Sequence, residues 1–308
     1  MINRILIRIK IIQIVYSYYL NSKRDLSTVE KELFFSMKKA YELYNLLLLL
    51  MVDLTEMQKR KLDAAKHKLL PSEADLAPNL KFIENKYIAQ LSQNIHLRKF
   101  IANEKISWIN QGDFLKSLLD EILSSEIYTE YMSSPDNSYE SHREFWRKIF
   151  KTIICGNEYL EQVLEDMSVY WNDDIDIVYT FVLKTIKRFD EKQGEKQELL
   201  PMFKADDDKD FARELLHRAI LHQEEYNEMI QEQAKNWEFD RIAFMDLIIM
   251  QTALAELTGF QTIPINVTLN EYIEIAKQYS TEKSSTFING ILDAVIATLK
   301  KEKKLLKN

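Results

Sequence analysis

Few residues in this chain are of types that could do chemistry, and their spacing argues against most of it. His217 and His222 stand five apart with no acidic ligand pattern beside them, and His67, His96 and His142 are isolated. A metal site needs ligands converging on one face, so no metal is expected. Cys155 is the single cysteine. It has no partner histidine and reads as a buried structural thiol; a lone cysteine also excludes an intramolecular disulfide and suits a reducing compartment. Asp206-Asp-Asp208 could chelate a cation, but three acids at a helix start are favoured by the helix dipole alone. Five scattered glycines build no phosphate-cradling loop. No enzyme and no cofactor is expected.

The elements that carry these residues are helices. Among 308 residues there are only five Gly and five Pro, while Leu, Ile, Lys, Glu and Tyr are abundant, which predicts long helices and few turns. The length allows one large or two modest domains. A net charge of −7 excludes nucleic-acid binding through overall charge, so any RNA contact needs a local basic patch. The apolar N-terminus carries Arg4, Arg8 and Lys10 and no small-residue cleavage site follows, so no signal peptide is expected. The run Leu46 to Val52 is too short to span a bilayer. A cytoplasmic protein without a membrane partner is expected.

Predicted elements run in order. One or two helices cover 26–70, opening near Ser27, where Ser27-Thr-Val-Glu30 fits a capping box. Pro71 and Pro78 bracket a loop, and helices follow over about 80–101 and 103–124. Ser133-Ser-Pro135-Asp-Asn-Ser138 is a turn cluster. Helices over about 140–168 and 174–190 precede a polar run, and a long helix covers about 208–235. Residues 2–20 are ambiguous: Ile5, Ile7, Ile9 and Ile11 alternate as in a strand, while Ile5, Ile9, Ile12, Tyr16 and Leu20 share one helical face.

The densest patterning lies between Ile263 and Asp293. Pro264 separates this unit from the helix upstream. Leu269, Ile273 and Ala276 then recur at helical spacing, with Asn270 and Glu271 as a cap and a favourable charge near the helix start. A second helix opens at Ser284 or Ser285 and turns Phe287, Ile288, Ile291, Leu292, Val295 and Leu299 inward. Gly290, inside it, costs about 1 kcal/mol relative to Ala and suggests a close approach of backbone or ligand.

These segments resemble the C-terminal half of the bacterial NusB transcription antitermination family. The likeness rests on Leu269-Asn270-Glu271, Ile273-Glu274, Ala276-Lys277, Ser284 and Phe287-Ile-Asn289-Gly290-Ile-Leu292-Asp293. Upstream, Arg241 to Leu257 is similar to the family helix that ends in Tyr-Glu-Leu. At the N-terminus, Gln13-Ile-Val-Tyr16-Ser17 matches the end of the family's first helix and tips 2–20 to helix. The family's arginine-rich opening is thinned here to Arg4, Arg8 and Lys10.

The resemblance implies an all-α, NusB-like helical bundle domain formed by 1–24 and 206–308, its C-terminal subdomain at about 237–308. Residues 25–205 are then an additional helical insertion. It further implies a transcription antitermination factor that binds boxA-type RNA with NusE, the small-subunit ribosomal protein, and supports ribosomal RNA transcription by RNA polymerase. Carried over by position, the RNA-binding residues are Arg4, Arg8, Lys10, Tyr16, Tyr226, Lys277, Lys283, Ser284 and Phe287, with Arg4, Arg8 and Lys10 expected near Lys277, Lys283 and Phe287. Aromatic rings would stack bases while cations neutralise phosphates. Core packing competes for Phe287 and Tyr16, and a solvated face for Arg4 and Arg8.

Two other features bear on organisation. Phe145, Arg147, Ile154, Glu158, Trp171 and Asp174 match Phe211, Arg213, Ile220, Glu224, Trp237 and Asp240 at an offset of 66 residues, so 143–174 is a candidate repeat of 209–240. The thinned arginine stretch also leaves an alternative open, a helical protein-interaction scaffold that has lost RNA binding. The related N-terminal domain of RNA cytosine methyltransferases would require a fused catalytic domain with a Gly-rich cofactor loop, which is missing.

Overall fold

A computed structural model describes residues 1–21, 25–205, 207–234, 241–281 and 283–305. It is all-α: among the described residues the extended pairing is a single isolated bridge between Ile2 and Phe203. The chain divides into two compact units, one of Met1 with Lys38–Met202 and one of Ile2–Met37 with Phe203–Asn308. Among the described residues no helix is long and apolar enough to cross a membrane.

The second unit contains α1 (Arg4–Leu20), the start of α2 (Leu26–Lys66), α11 (Asp207–Leu221), α12 (Gln223–Gln233), α13 (Phe244–Gly259), α14 (Ile265–Tyr279) and α15 (Ser284–Lys301). The hub is α13, against which α1, α11, α12, α14 and α15 all pack. Every residue from Ile248 to Leu257 is buried, so this helix is enclosed on all sides. The same explains why residues 2–20 looked strand-like. Helix α1 buries Leu6, Ile7, Ile9, Ile11, Ile12, Ile14 and Val15, too many faces for one clean stripe at helical period. Asn3 opens it by accepting from the Leu6 amide at 3.0 Å.

The first unit holds the rest of α2 and then α3 (Glu73–Leu76), α4 (Lys86–Gln93), α5 (Ile95–Glu104), α6 (Gly112–Ser124), α7 (Glu126–Ser133), α8 (Tyr139–Ile149), α9 (Glu158–Met167) and α10 (Ile175–Arg188). Two buried tryptophans tie it together: Trp108 donates to the Leu46 carbonyl at 2.9 Å and Trp171 to the Lys39 carbonyl at 2.8 Å. Asparagines begin its shorter helices. Asn85 accepts from the Ile88 amide, Asn94 from those of His96 and Leu97, and Asn157 from that of Leu160.

Those caps mark where the expected boundaries were too generous. The predicted 80–101 helix is two, restarted at Asn94. The predicted 140–168 helix ends in a π turn, Phe150–Ile154, and breaks at Gly156, whose φ of +72° no side chain adopts readily. The predicted 208–235 helix breaks at His222. Residues 26–66, by contrast, form one helix. Its start is held by Asp25, which accepts from the Thr28 amide at 3.0 Å and the Thr28 hydroxyl at 2.7 Å, in place of the expected Ser27–Glu30 box. Trp237 and Asp240, part of the candidate repeat, and Asp206 lie outside the described residues.

Candidate nucleic-acid interface

The nine residues expected to bind RNA separate into those the fold buries and those it presents. Arg8 is 3% exposed and Glu256, on the enclosed helix α13, is 0% exposed. Arg8 Nε and Nη2 donate to the two Glu256 oxygens at 2.7 and 2.8 Å. Thr268 Oγ1 donates to Glu256 at 2.8 Å and the Tyr272 hydroxyl at 3.3 Å, while Glu271 accepts from Arg8 at 3.5 Å. Burial pulls the Arg8 guanidinium down, but the hydrogen bond and charge of Glu256 outweigh it and set the pKa above the ordinary value. Arg8 therefore joins α1, α13 and α14 and is closed to phosphate, a correction of its expected role. Arg4 stays partly exposed, 3.6 Å from Asp208 and over the Phe211 ring.

Lys10, at 3% exposed, is likewise buried. Tyr226, at 2% exposed, has no open face for a base; its hydroxyl lies 3.3 Å from Thr258 Oγ1, so it is a core ring. Lys277 is exposed and paired with Glu274 on its own helix at 2.5 Å, an arrangement worth about 0–1 kcal/mol and readily exchanged for another anion.

Three of the remaining four, Lys283, Ser284 and Phe287, meet at an open cleft of about 740 Å³ lined by Arg241, Ile242, Ala243, Asp246, Thr281, Lys283, Ser284, Thr286 and Phe287. The starts of α13 and α15 form its walls. Ser284, expected as a possible cap, is instead the first residue of α15 after Lys283. Its Oγ lies 3.0 Å from Ser280 Oγ and 2.8 Å from Thr281 Oγ1, and Ser280 donates to Asp246. This network fixes the turn that presents Lys283 and Phe287. Beside it, half-buried Tyr16 packs on the Phe244 ring at 5.1 Å, placing α1 next to the segment that supplies Arg241 and Ala243. Positive helix ends and two cations favour an anion there, and the lining between them is largely apolar.

Sequence reasoning missed Arg241, Asp246 and Thr281. Arg241 and Asp246 lie in the segment already singled out by its motif, so their place was available; nothing local marked Thr281. The expected close approach at Gly290 is not found, since a Cβ there meets nothing within 4 Å. It occurs instead at Gly259, where an added Cβ would lie 2.5 Å from Arg218 Cδ. Among the described residues no group of three or more His, Cys, Asp or Glu could hold a metal.

The fold is all-α, and Arg241, Lys283 and Phe287 line one cleft in it. The chain belongs to the NusB family. A sequence profile described as "NusB family" matches residues 176–297. The transcription antitermination protein NusB of Salinibacter ruber is 36% identical over 132 residues, 41% of this chain and 82% of that protein. That of Thermodesulfovibrio yellowstonii is 36% identical over 140 residues, 46% of this chain and 88% of that protein. A solved structure of T. maritima NusB shares 26% identity, covers 53% of this chain and 95% of its own, and has a TM-score of 0.30. The family is one of non-catalytic transcription antitermination factors, so the chain is not an enzyme. The matched segment runs from Asp176 in α10 to Ala297 in α15, taking in the whole cleft and leaving α1 outside.

Proposed function

We propose that this protein is a transcription antitermination factor that binds boxA-type single-stranded RNA together with NusE, the small-subunit ribosomal protein, and so supports ribosomal RNA transcription by RNA polymerase. The observation that carries the reading is the cleft at the starts of α13 and α15, where Arg241 and Lys283 stand with Ser284 and Phe287. The cations neutralise phosphates and the Phe287 ring stacks a base. Arg4 and Lys277 add exposed cations in the same unit, and Tyr16 packs beside the cleft. Arg8 and Lys10 act inside the fold. The mechanism is assembly: this protein and NusE each bind RNA weakly and form a combined surface, gaining affinity through effective concentration. Residues 25–205 are read as a helical insertion into the N-terminal half, its last helix α10 lying already within the segment that the family profile matches.

Titration of boxA RNA with the full chain, with and without NusE, tests the reading. It predicts retardation that NusE strengthens. Burial of Arg8 and Lys10 favours a second reading, an interaction scaffold that has lost RNA binding, for which neither titration shows a complex.

A further inference from the structure

The 66-residue offset seen in the sequence recurs in structure. Helix α8 with its π turn covers 139–154 and α11 covers Asp207–Leu221. A break follows each, at 155–157 and at His222. Helix α9 (Glu158–Met167) then answers α12 (Gln223–Gln233), and α10 (Ile175–Arg188) answers α13 (Phe244–Gly259). Burial follows the same offset. Phe145 and Phe211, Trp146 and Ala212, Ile149 and Leu215, Phe150 and Leu216, Ile154 and Ile220, Leu164 and Ile230, and Val182 and Ile248 are all buried pairs. An i,i+3 ion pair is repeated as well, Glu144 with Arg147 at 2.5 Å and Asp210 with Arg213 at 3.4 Å.

A shared apolar stripe alone would mean little, because any two amphipathic helices can be brought into phase. Here one offset aligns three helices and the break between the first two. The departures are that the last turn of α8 widens into a π turn, that buried Val178, Tyr179 and Phe181 stand opposite Phe244, Met245 and Leu247, which are not buried, and that α9 packs on α6 where α12 packs on α13.

We infer that residues 139–188 are a second copy of the module formed by 205–254, so that the first unit is built in part on the family's own helices. The copy is a scaffold without the cleft. Ile175 and Thr180 stand where the second unit has Arg241 and Asp246, and the chain after α10 supplies no counterpart of α14 and α15 before α11 begins.

Double electron–electron resonance on the full chain tests this, in a Cys155→Ser background with nitroxides on engineered cysteines. Labels at Lys148 and Glu165 are compared with labels at Glu214 and Gln231, and labels at Lys148 and Asp176 with labels at Glu214 and Ile242. Circular dichroism confirms that each variant folds. Two copies of one module give coinciding distance distributions within each comparison. Distributions that differ in either comparison, in folded variants, overturn the inference.

Discussion

Arg8 and Glu256, 248 positions apart in sequence, form a buried two-pronged ion pair at 2.7 and 2.8 Å. A carboxylate fully removed from water is tolerable only if its oxygens are satisfied. Here Arg8, Thr268 and Tyr272 together do so, which ties the first helix of the chain to the hub of the second unit. Two residues from the sequence motifs, one in an arginine-bearing N-terminal run and one in a motif resembling Tyr-Glu-Leu, are thus explained by each other.

Removing one partner leaves a buried charge alone. Arg8→Met or Glu256→Leu should each cost about 3–5 kcal/mol, whereas the double change should lose much less than the sum. Urea denaturation of the three variants measures this. Strictly additive losses would show that the pair is not coupled.

Gly290 sits in the interior of α15 with open space where a side chain would project. Gly290→Ala should raise stability by about 0.5–1 kcal/mol, because alanine gives up less backbone entropy in a helix. The urea midpoint reads the change, and a lower midpoint would mean that contacts of this position were misassigned.

Burial pushes the Asp53 carboxyl up to about 6 from an ordinary 3.8, with Arg60 opposing and Glu56 reinforcing. The folded state then holds the proton more tightly than the unfolded chain, so this group's contribution to stability falls as pH rises from about 4 to about 6. Asp53→Asn should remove that dependence and gain about 1 kcal/mol at pH 7, less than the full shift implies because the carboxyl is partly open to water. Thermal melts of both proteins between pH 4 and 8 check the sign. An unchanged pH profile in the variant would contradict it.

Much of the architecture was legible in the sequence because scarce Gly and Pro and apolar spacing are local signals. The C-terminal pair of helices could be placed from Pro264 and the Ser284 region, and Asn85, Asn94 and Asn157 identify breaks that the coarse reading passed over. The break at His222 has no such marker. The candidate site was less legible. Motif position placed Lys283, Ser284 and Phe287 at one cleft, but it could not distinguish exposed Arg4 from buried Arg8 one turn later, because α1 is enclosed on most of its circumference. The burial of Tyr226 follows from which helices surround α12, again information that a single chain segment does not carry.

The central claim is that the cleft at the starts of α13 and α15 holds boxA-type RNA. Fluorescence anisotropy of labelled boxA RNA across a salt series, with NusE present, tests it most directly for the wild-type chain, Arg241→Ala/Lys283→Ala and Phe287→Ala, with circular dichroism as the folding control. Losing two phosphate contacts should weaken binding and flatten the log–log salt slope by about 1.4, at about 0.7 per contact on a single strand. Phe287→Ala should cost about 1–3 kcal/mol with the slope nearly unchanged, since stacking releases no counterions. Folded variants that bind boxA RNA with the affinity and salt slope of the wild-type chain, or a wild-type chain that does not bind it at all, would contradict the account.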